Sequence, residues 1–172
     1  MKSNQRLPIT VIVFVALTFI PKAALANVGS TMMWFGLLHL AIGNVIVGIL
    51  ESVLVKTVQK LNVAIWKIVL GNYVSMFFGL YVVAPIFAIE VGNRNFWDGA
   101  TSFGDYQLRG FFVGMFFAYL STLAIEYPFF RWAIPSKEKD LKVVKATLLS
   151  NSVSYIIMTG IYFLIVLPGS KW

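Results

Sequence analysis

Two glutamates interrupt long apolar stretches of this chain. Glu51 falls inside AIGNVIVGILESVLVK (41–56), and Glu126 falls inside a second apolar stretch, five residues before Arg131. An acidic side chain at the centre of a membrane helix costs about 2.5–3.5 kcal/mol, so each glutamate needs a polar partner. Two neighbouring carboxyl groups can share one proton, and such a pair could carry protons or bind a cation.

Amide and hydroxyl side chains recur at helical spacing near both glutamates. Spacings of three and four residues place them on one polar face of each helix. Polar side chains hydrogen-bond across the contacts between membrane helices, so we expect these faces to meet at one depth. The predicted proton- or cation-binding residues are Glu51, Glu126, Asn72, Asn151, Asn44, Ser75 and Ser154.

A purely structural role for the same residues is the alternative. Each glutamate would then bond the asparagine of its own hairpin and pair with a nearby cation, Lys56 or Arg131.

His39 is the only histidine, and it lies between Gly36 and Gly43. Small neighbours could make room for a flat ring, so His39 is a possible haem or pigment ligand. A hydrogen-bonded histidine inside a helical bundle is the competing interpretation. With one histidine and no cysteine, the chain alone cannot form a bis-histidine haem site, a histidine-rich zinc site or an iron–sulfur cluster.

The amino-acid composition indicates that these residues are carried by membrane helices. Of 172 residues, 59% are hydrophobic and only 12% are charged, whereas a soluble domain has about 25% charged residues. The net charge of +7 is expected to fix membrane topology and to contact anionic headgroups of the bilayer rather than nucleic acid. A nucleotide-binding loop, a Ser/His/Asp constellation and a metal-ligand cluster are all missing from the sequence. We therefore expect no enzymatic activity and no cofactor.

Four stretches are long enough to cross about 30 Å of hydrocarbon, which needs about 20 residues each. They run over 31–55, 63–89, 108–132 and 143–167. Asn62 is placed to cap the second helix. The sequence thus predicts an all-α polytopic membrane protein with four transmembrane helices.

A basic start, an apolar run and the small residues AALA predict a signal peptide over 1–26, or else an uncleaved signal anchor. Residues 27–172 would form a single transmembrane domain. It would consist of two helical hairpins, 31–89 and 108–167, joined by an outer loop over 90–107.

The basic residues are divided unequally between the two sides of the membrane. Ten of the fourteen lie in the first residues or near the two short connections, and four lie on the other side. Because short cytoplasmic loops are rich in Lys and Arg, both short connections are expected to face the cytoplasm. With the signal segment, this pattern predicts a multi-pass protein of the bacterial cytoplasmic (inner) membrane. The mature N-terminus and the C-terminus would then lie outside.

The two hairpins also resemble each other. LGNYVS (70–75) and LSNSVS (149–154) match at four positions with an offset of 79, and the two glutamates have an offset of 75. Both hairpins would start from the outside, so the sequence predicts parallel repeats related by an axis along the membrane normal.

Three functions fit this pattern. The first is a small transport protein, expected to be a homo-oligomer, that handles a proton or cation at its Glu/Asn centre. The second is a non-catalytic accessory or assembly subunit that binds other membrane subunits through its apolar faces. The third and weaker one is a haem- or pigment-associated subunit that uses His39.

Overall fold

A computed structural model describes residues 31–97 and 105–166, which contain helices and connections but no strand. Helix α1 comprises Thr31–Leu38, His39–Gly43 and Asn44–Val58, and α2 comprises Ile65–Phe78, Gly79–Val83 and Ala84–Glu90. Helix α3 is Tyr106–Ala133 and α4 is Asp140–Val166. All four are long and apolar enough to cross a membrane, which confirms the all-helical, four-span prediction. The predicted signal segment lies outside the described residues.

The four helices pack in a ring, in which each contacts the next along the chain and α4 closes against α1. The connections 59–64 and 134–139 are short, so α1 and α2 are antiparallel neighbours, as are α3 and α4. Within a bilayer, helices satisfy their own backbone groups, which makes this architecture suitable for such apolar segments. We call the end of the bundle that holds these two connections the basic end, and the opposite end the loop end.

At the basic end, the first connection and the start of α2 are bonded to the end of α3. The Ala64 N–H donates to the Ala133 carbonyl at 3.1 Å, and Lys67 Nζ donates to the Trp132 carbonyl at 2.8 Å. The capping prediction for Asn62 is wrong, because α2 begins at Ile65 with Ala64 as its cap. Ala64 has no side-chain cap bond, and its own N–H is satisfied by α3.

The described part of the outer loop folds over the loop end. Phe96 is only 3% exposed and packs into the apolar core there. Asn93 Nδ2 donates to the Gln107 carbonyl at 3.0 Å, which joins the loop to the start of α3. The loop therefore closes the bundle at this position.

Two wide, π-helical turns interrupt the first hairpin, at His39–Gly43 in α1 and at Gly79–Val83 in α2. The turn in α2 comes directly before Pro85, which has no N–H and whose ring would clash with the Tyr81 carbonyl in a regular helix. A wider turn relieves this clash. Helices α3 and α4 have no such turn in the described residues.

A glycine sets the distance between α1 and α2. A Cβ atom added at Gly48 would lie 2.8 Å from Val69 Cα, closer than two carbon atoms can pack. Small residues allow membrane helices to approach in this way, so that polar side chains can bond across the contact. Glu51 lies one turn from this contact and faces the bundle interior.

Candidate functional site

Each of the four helices contributes polar side chains to one buried layer. All of its members are at most 6% exposed: Glu51 from α1, Asn72 and Ser75 from α2, Thr122 and Glu126 from α3, and Asn151 and Ser154 from α4. The layer forms because the polar residues recur at helical spacing while aliphatic residues occupy the outer faces. All seven side chains line the same cavity.

Glu51 accepts hydrogen bonds from two different helices. Asn72 Nδ2 donates to Glu51 Oε2 at 2.7 Å, and Ser154 Oγ donates to Glu51 Oε1 at 2.6 Å. Asn72 belongs to the same hairpin as Glu51, whereas Ser154 belongs to the other. Both carboxyl oxygens are therefore occupied by neutral donors.

Glu126 is only partly satisfied. Its Oε1 accepts a hydrogen bond from Ser75 Oγ of the other hairpin. Its Oε2 is buried without a hydrogen-bond partner, and so is Nδ2 of Asn151. Buried polar atoms normally have partners, so these two mark a place where a proton or a water molecule could be bound.

The serine bonds are exchanged between the hairpins. Glu51 of the first hairpin binds Ser154 of the second, and Glu126 of the second binds Ser75 of the first. The two carboxyl groups are also close in depth, since their donors Asn72 and Ser75 are three residues apart on α2. Side chains at this spacing have Cβ atoms about 5–6 Å apart.

No lysine or arginine of the described residues lies within ion-pair distance of either glutamate. Lys56 is exposed, and Arg131 Nε instead lies 2.9 Å from Asp140 Oδ1. The ion pairs that the structural alternative expected, Glu51 with Lys56 and Glu126 with Arg131, are therefore wrong. The bond from Asn72 to Glu51 that the same alternative expected is present. In the described part of the chain, the two carboxyl groups lie in the protein interior without a compensating positive charge.

An apolar cluster separates the polar layer from the basic end. Val55, Ile68 and Phe130 lie one turn from Glu51, Asn72 and Glu126 respectively, on the side of the short connections. Together with these three, the cluster comprises Leu61, Ala133, Ile134, Val143 and Ala146, all at most 7% exposed. None of these residues lines the cavity. We call this cluster the basic-end seal.

The cavity extends from the carboxyl pair in the opposite direction. It has a volume of about 50 Å³ and reaches His39 and Tyr162. His39 Nδ1 lies 3.2 Å from the Tyr162 hydroxyl. From Glu51 to His39 is twelve residues along α1, which is about 18 Å. A few water molecules at most fit in such a volume.

Asn44 has different partners from the other predicted site residues. Its Nδ2 lies 3.1 Å from Met76 Sδ and 3.4 Å from the Leu40 carbonyl. It is seven residues, about 10 Å, from Glu51 along α1. Asn44 therefore lines the cavity without bonding to the carboxyl pair.

The surroundings of His39 do not suit a large flat ligand inside the bundle. Pockets for small molecules and cofactors typically have about 300–1,000 Å³, far more than the cavity that His39 lines. Its Nδ1 is already close to Tyr162. In the described residues no group of three His, Asp or Glu side chains could hold a metal ion.

Sequence reasoning missed three residues of α4 that line the cavity: Tyr155, Met158 and Tyr162. They follow Asn151 by four, seven and eleven residues, so they continue the same helical face. This spacing was the available signal. It is easily overlooked because tyrosine and methionine do not stand out in an aromatic, apolar chain.

Comparisons of the chain with protein-family models, with curated proteins and with solved structures found no match.

Proposed function

We propose that this small integral membrane protein binds and releases a proton at the Glu51–Glu126 pair as part of proton-coupled transport. The observation that carries the proposal is the pair itself. Both carboxyl groups are 1% exposed, and in the described residues neither has a cationic partner and Glu126 Oε2 has no hydrogen-bond partner within 3.5 Å. A shared proton removes one of two negative charges that would otherwise repel each other in an apolar interior.

The exchanged serine bonds support a symmetric centre. Parallel repeats related by an axis along the membrane normal would place each glutamate against the serine of the other hairpin. The bonds from Ser154 to Glu51 and from Ser75 to Glu126 have this arrangement. We therefore retain the duplicated hairpin as part of the proposal.

The positions of the cavity and the basic-end seal support exchange from one side. Protons would reach the pair through the cavity that His39 and Tyr162 line, while the seal blocks the basic end. By the distribution of Lys and Arg, the basic end would face the cytoplasm of a bacterial inner membrane.

Flux measurements test this function. The chain is reconstituted into liposomes with an internal pH-sensitive dye, and a pH gradient is applied. Glu51→Gln and Glu126→Gln keep the side-chain shape but lose the exchangeable proton, so we expect flux to fall to the level of empty liposomes. Glu90→Gln is the matched control, because Glu90 is exposed at the end of α2 and should leave flux unchanged.

The proposal fails if the wild-type chain gives no pH-dependent flux, or if either pair variant conducts as the wild type does. Flux that follows a Na⁺ or K⁺ gradient at constant pH would instead assign the centre to a small cation.

A second candidate function is that of an accessory subunit in a larger membrane complex. Helix α4 is the least buried of the four spans. In its most apolar stretch 22% of the residues are buried, against 39% in α2 and in α3. Ile156 is 73% exposed and Leu164 is 64% exposed on this helix. A second copy of the chain or another membrane subunit would cover this face, and lipid is the competing occupant.

Extraction in mild detergent followed by mass spectrometry separates these cases. A partner recovered at fixed stoichiometry supports the subunit function, and a homo-oligomer supports a self-associating transporter. A monodisperse monomer contradicts both kinds of assembly.

A further inference from the structure

A second cavity lies at the basic end, on the outside of the bundle and away from the carboxyl pair. It is an open groove of about 590 Å³ between the end of α1 and the first turns of α4. The lining residues that matter here are Gln59, Lys142, Lys145, Leu148, Leu149 and Ser152. It shares no residue with the cavity of the carboxyl pair.

The chemistry of this groove changes with depth. Lys142 and Lys145 lie at the start of α4, beside the short connection, where a membrane helix emerges at the headgroup level. Leu148 and Leu149 lie one turn further along, about 5 Å deeper. Both leucines are more than 40% exposed. A molecule that fits must therefore carry negative charge at one end and an apolar chain at the other.

The two lysines remain available for an anionic ligand. Lys142 Nζ lies 2.9 Å from Glu138 Oε2, but the lysine side chain is 60% exposed and such surface pairs contribute little. Lys145 has no carboxylate within ion-pair distance among the described residues.

The remaining wall of the groove is held in place by hydrogen bonds. Gln59 Nε2 donates to the Lys145 carbonyl at 3.2 Å, which joins the end of α1 to α4. Ser152 Oγ lies 2.7 Å from the Tyr119 hydroxyl, which joins α4 to α3. These bonds hold α4, which carries both lysines, against α1 on one side and α3 on the other.

We propose that this groove binds one anionic phospholipid. Its phosphate would lie between Lys142 and Lys145, and one acyl chain would run along Leu148 and Leu149. This site is independent of the proton-binding pair and goes beyond a general attraction between a basic protein and the bilayer, because it assigns binding to two of the fourteen basic residues.

Native mass spectrometry of the purified full chain tests the site. The protein in a lipid-free detergent is titrated with phosphatidylglycerol or with phosphatidylcholine of the same acyl chains. Each lysine near a charged headgroup contributes about 1 kcal/mol, and 1.4 kcal/mol is a factor of ten. We therefore expect one phosphatidylglycerol to bind about thirtyfold more tightly than phosphatidylcholine.

The variant Lys142→Gln/Lys145→Gln should lose this preference. The matched control is Lys137→Gln/Lys139→Gln, which removes the same charge from exposed residues that do not line the groove. The control should keep most of the preference. Thermal unfolding of both variants in detergent without added lipid shows whether either has lost its fold.

Three results would overturn the proposal. One is equal binding of the two lipids to the wild type. Another is an unchanged preference in a folded Lys142→Gln/Lys145→Gln variant. The third is an equal loss in the control variant, which would assign binding to the overall charge of the basic end.

Discussion

The exchanged serine bonds predict which pairs of substitutions are energetically coupled. Ser154 Oγ donates to Glu51 Oε1 at 2.6 Å, although the two residues belong to different hairpins. Glu51→Met replaces the acceptor by an unbranched apolar side chain of similar length. Ser154→Ala removes the donor. Once one partner is gone, loss of the other should cost little, so the double variant should be less destabilised than the sum of the single variants.

The coupling free energy can be estimated from the geometry. Side-chain hydrogen bonds between membrane helices contribute about 0.6 kcal/mol on average and about 1.7 kcal/mol at most. The separation of 2.6 Å is typical of a strong bond from a hydroxyl to a carboxyl oxygen. Ser154 Oγ can still donate to the Asn151 carbonyl at 3.1 Å, which limits the loss. We therefore expect about 1 kcal/mol, or about a fivefold change in the unfolding equilibrium.

The measurement is reversible unfolding in mixed micelles, followed by tryptophan fluorescence, for the wild type, both single variants and the double variant. The control cycle combines Glu51→Met with Ser75→Ala. Because Ser75 donates to Glu126 rather than to Glu51, its coupling should be less than half as large. Equal coupling of Glu51 to both serines, or no coupling to Ser154, would refute the exchange.

Two further predictions concern packing and the route to the pair. Gly48→Ala should destabilise the fold by about 1–3 kcal/mol in the same unfolding assay, since the new methyl group would lie 2.8 Å from Val69 Cα. Gly160→Ala should not be destabilising, because apart from its neighbours in its own helix no described residue lies within 4 Å of the added methyl group. Tyr162→Phe should lower proton flux severalfold, because it removes the hydroxyl beside His39, and should cost only about 0.6 kcal/mol of stability, as expected for one interhelical hydrogen bond. Tyr119→Phe removes a hydroxyl that does not line the cavity and should leave flux unchanged.

Helix positions could be predicted from the sequence because lipid imposes a length and a polarity on each span. The second span was predicted at 63–89, and α2 runs over Ile65–Glu90 in the structure. The third span was predicted at 108–132, and α3 is Tyr106–Ala133. The polar faces were also predictable. All eight residues singled out from the sequence, the seven polar ones and His39, line one cavity in the structure. Their roles in binding stay predictions.

The partners within the layer could not be predicted. Helical spacing shows which face of a helix is polar, but not how far each helix is rotated or which neighbour it meets. The bond between Ser154 and Glu51 joins residues 103 positions apart, and the exchange depends on all four helices at once. For the same reason Asn44, assigned to the pair by its spacing, bonds to Met76 instead.

The serine bonds join the two hairpins in both directions, whereas the π-helical turns of the described helices occur only in the first hairpin. Each carboxyl group receives a serine from the opposite hairpin, yet only α1 and α2 contain π-helical turns. A π-helical turn widens a helix locally and shifts the side chains on either side of it. The turn in α1 contains His39 and the turn in α2 contains Leu80, and both residues line the cavity on the loop-end side of the pair. The two π-helical turns of the first hairpin therefore lie on the side of the carboxyl pair toward which the cavity extends.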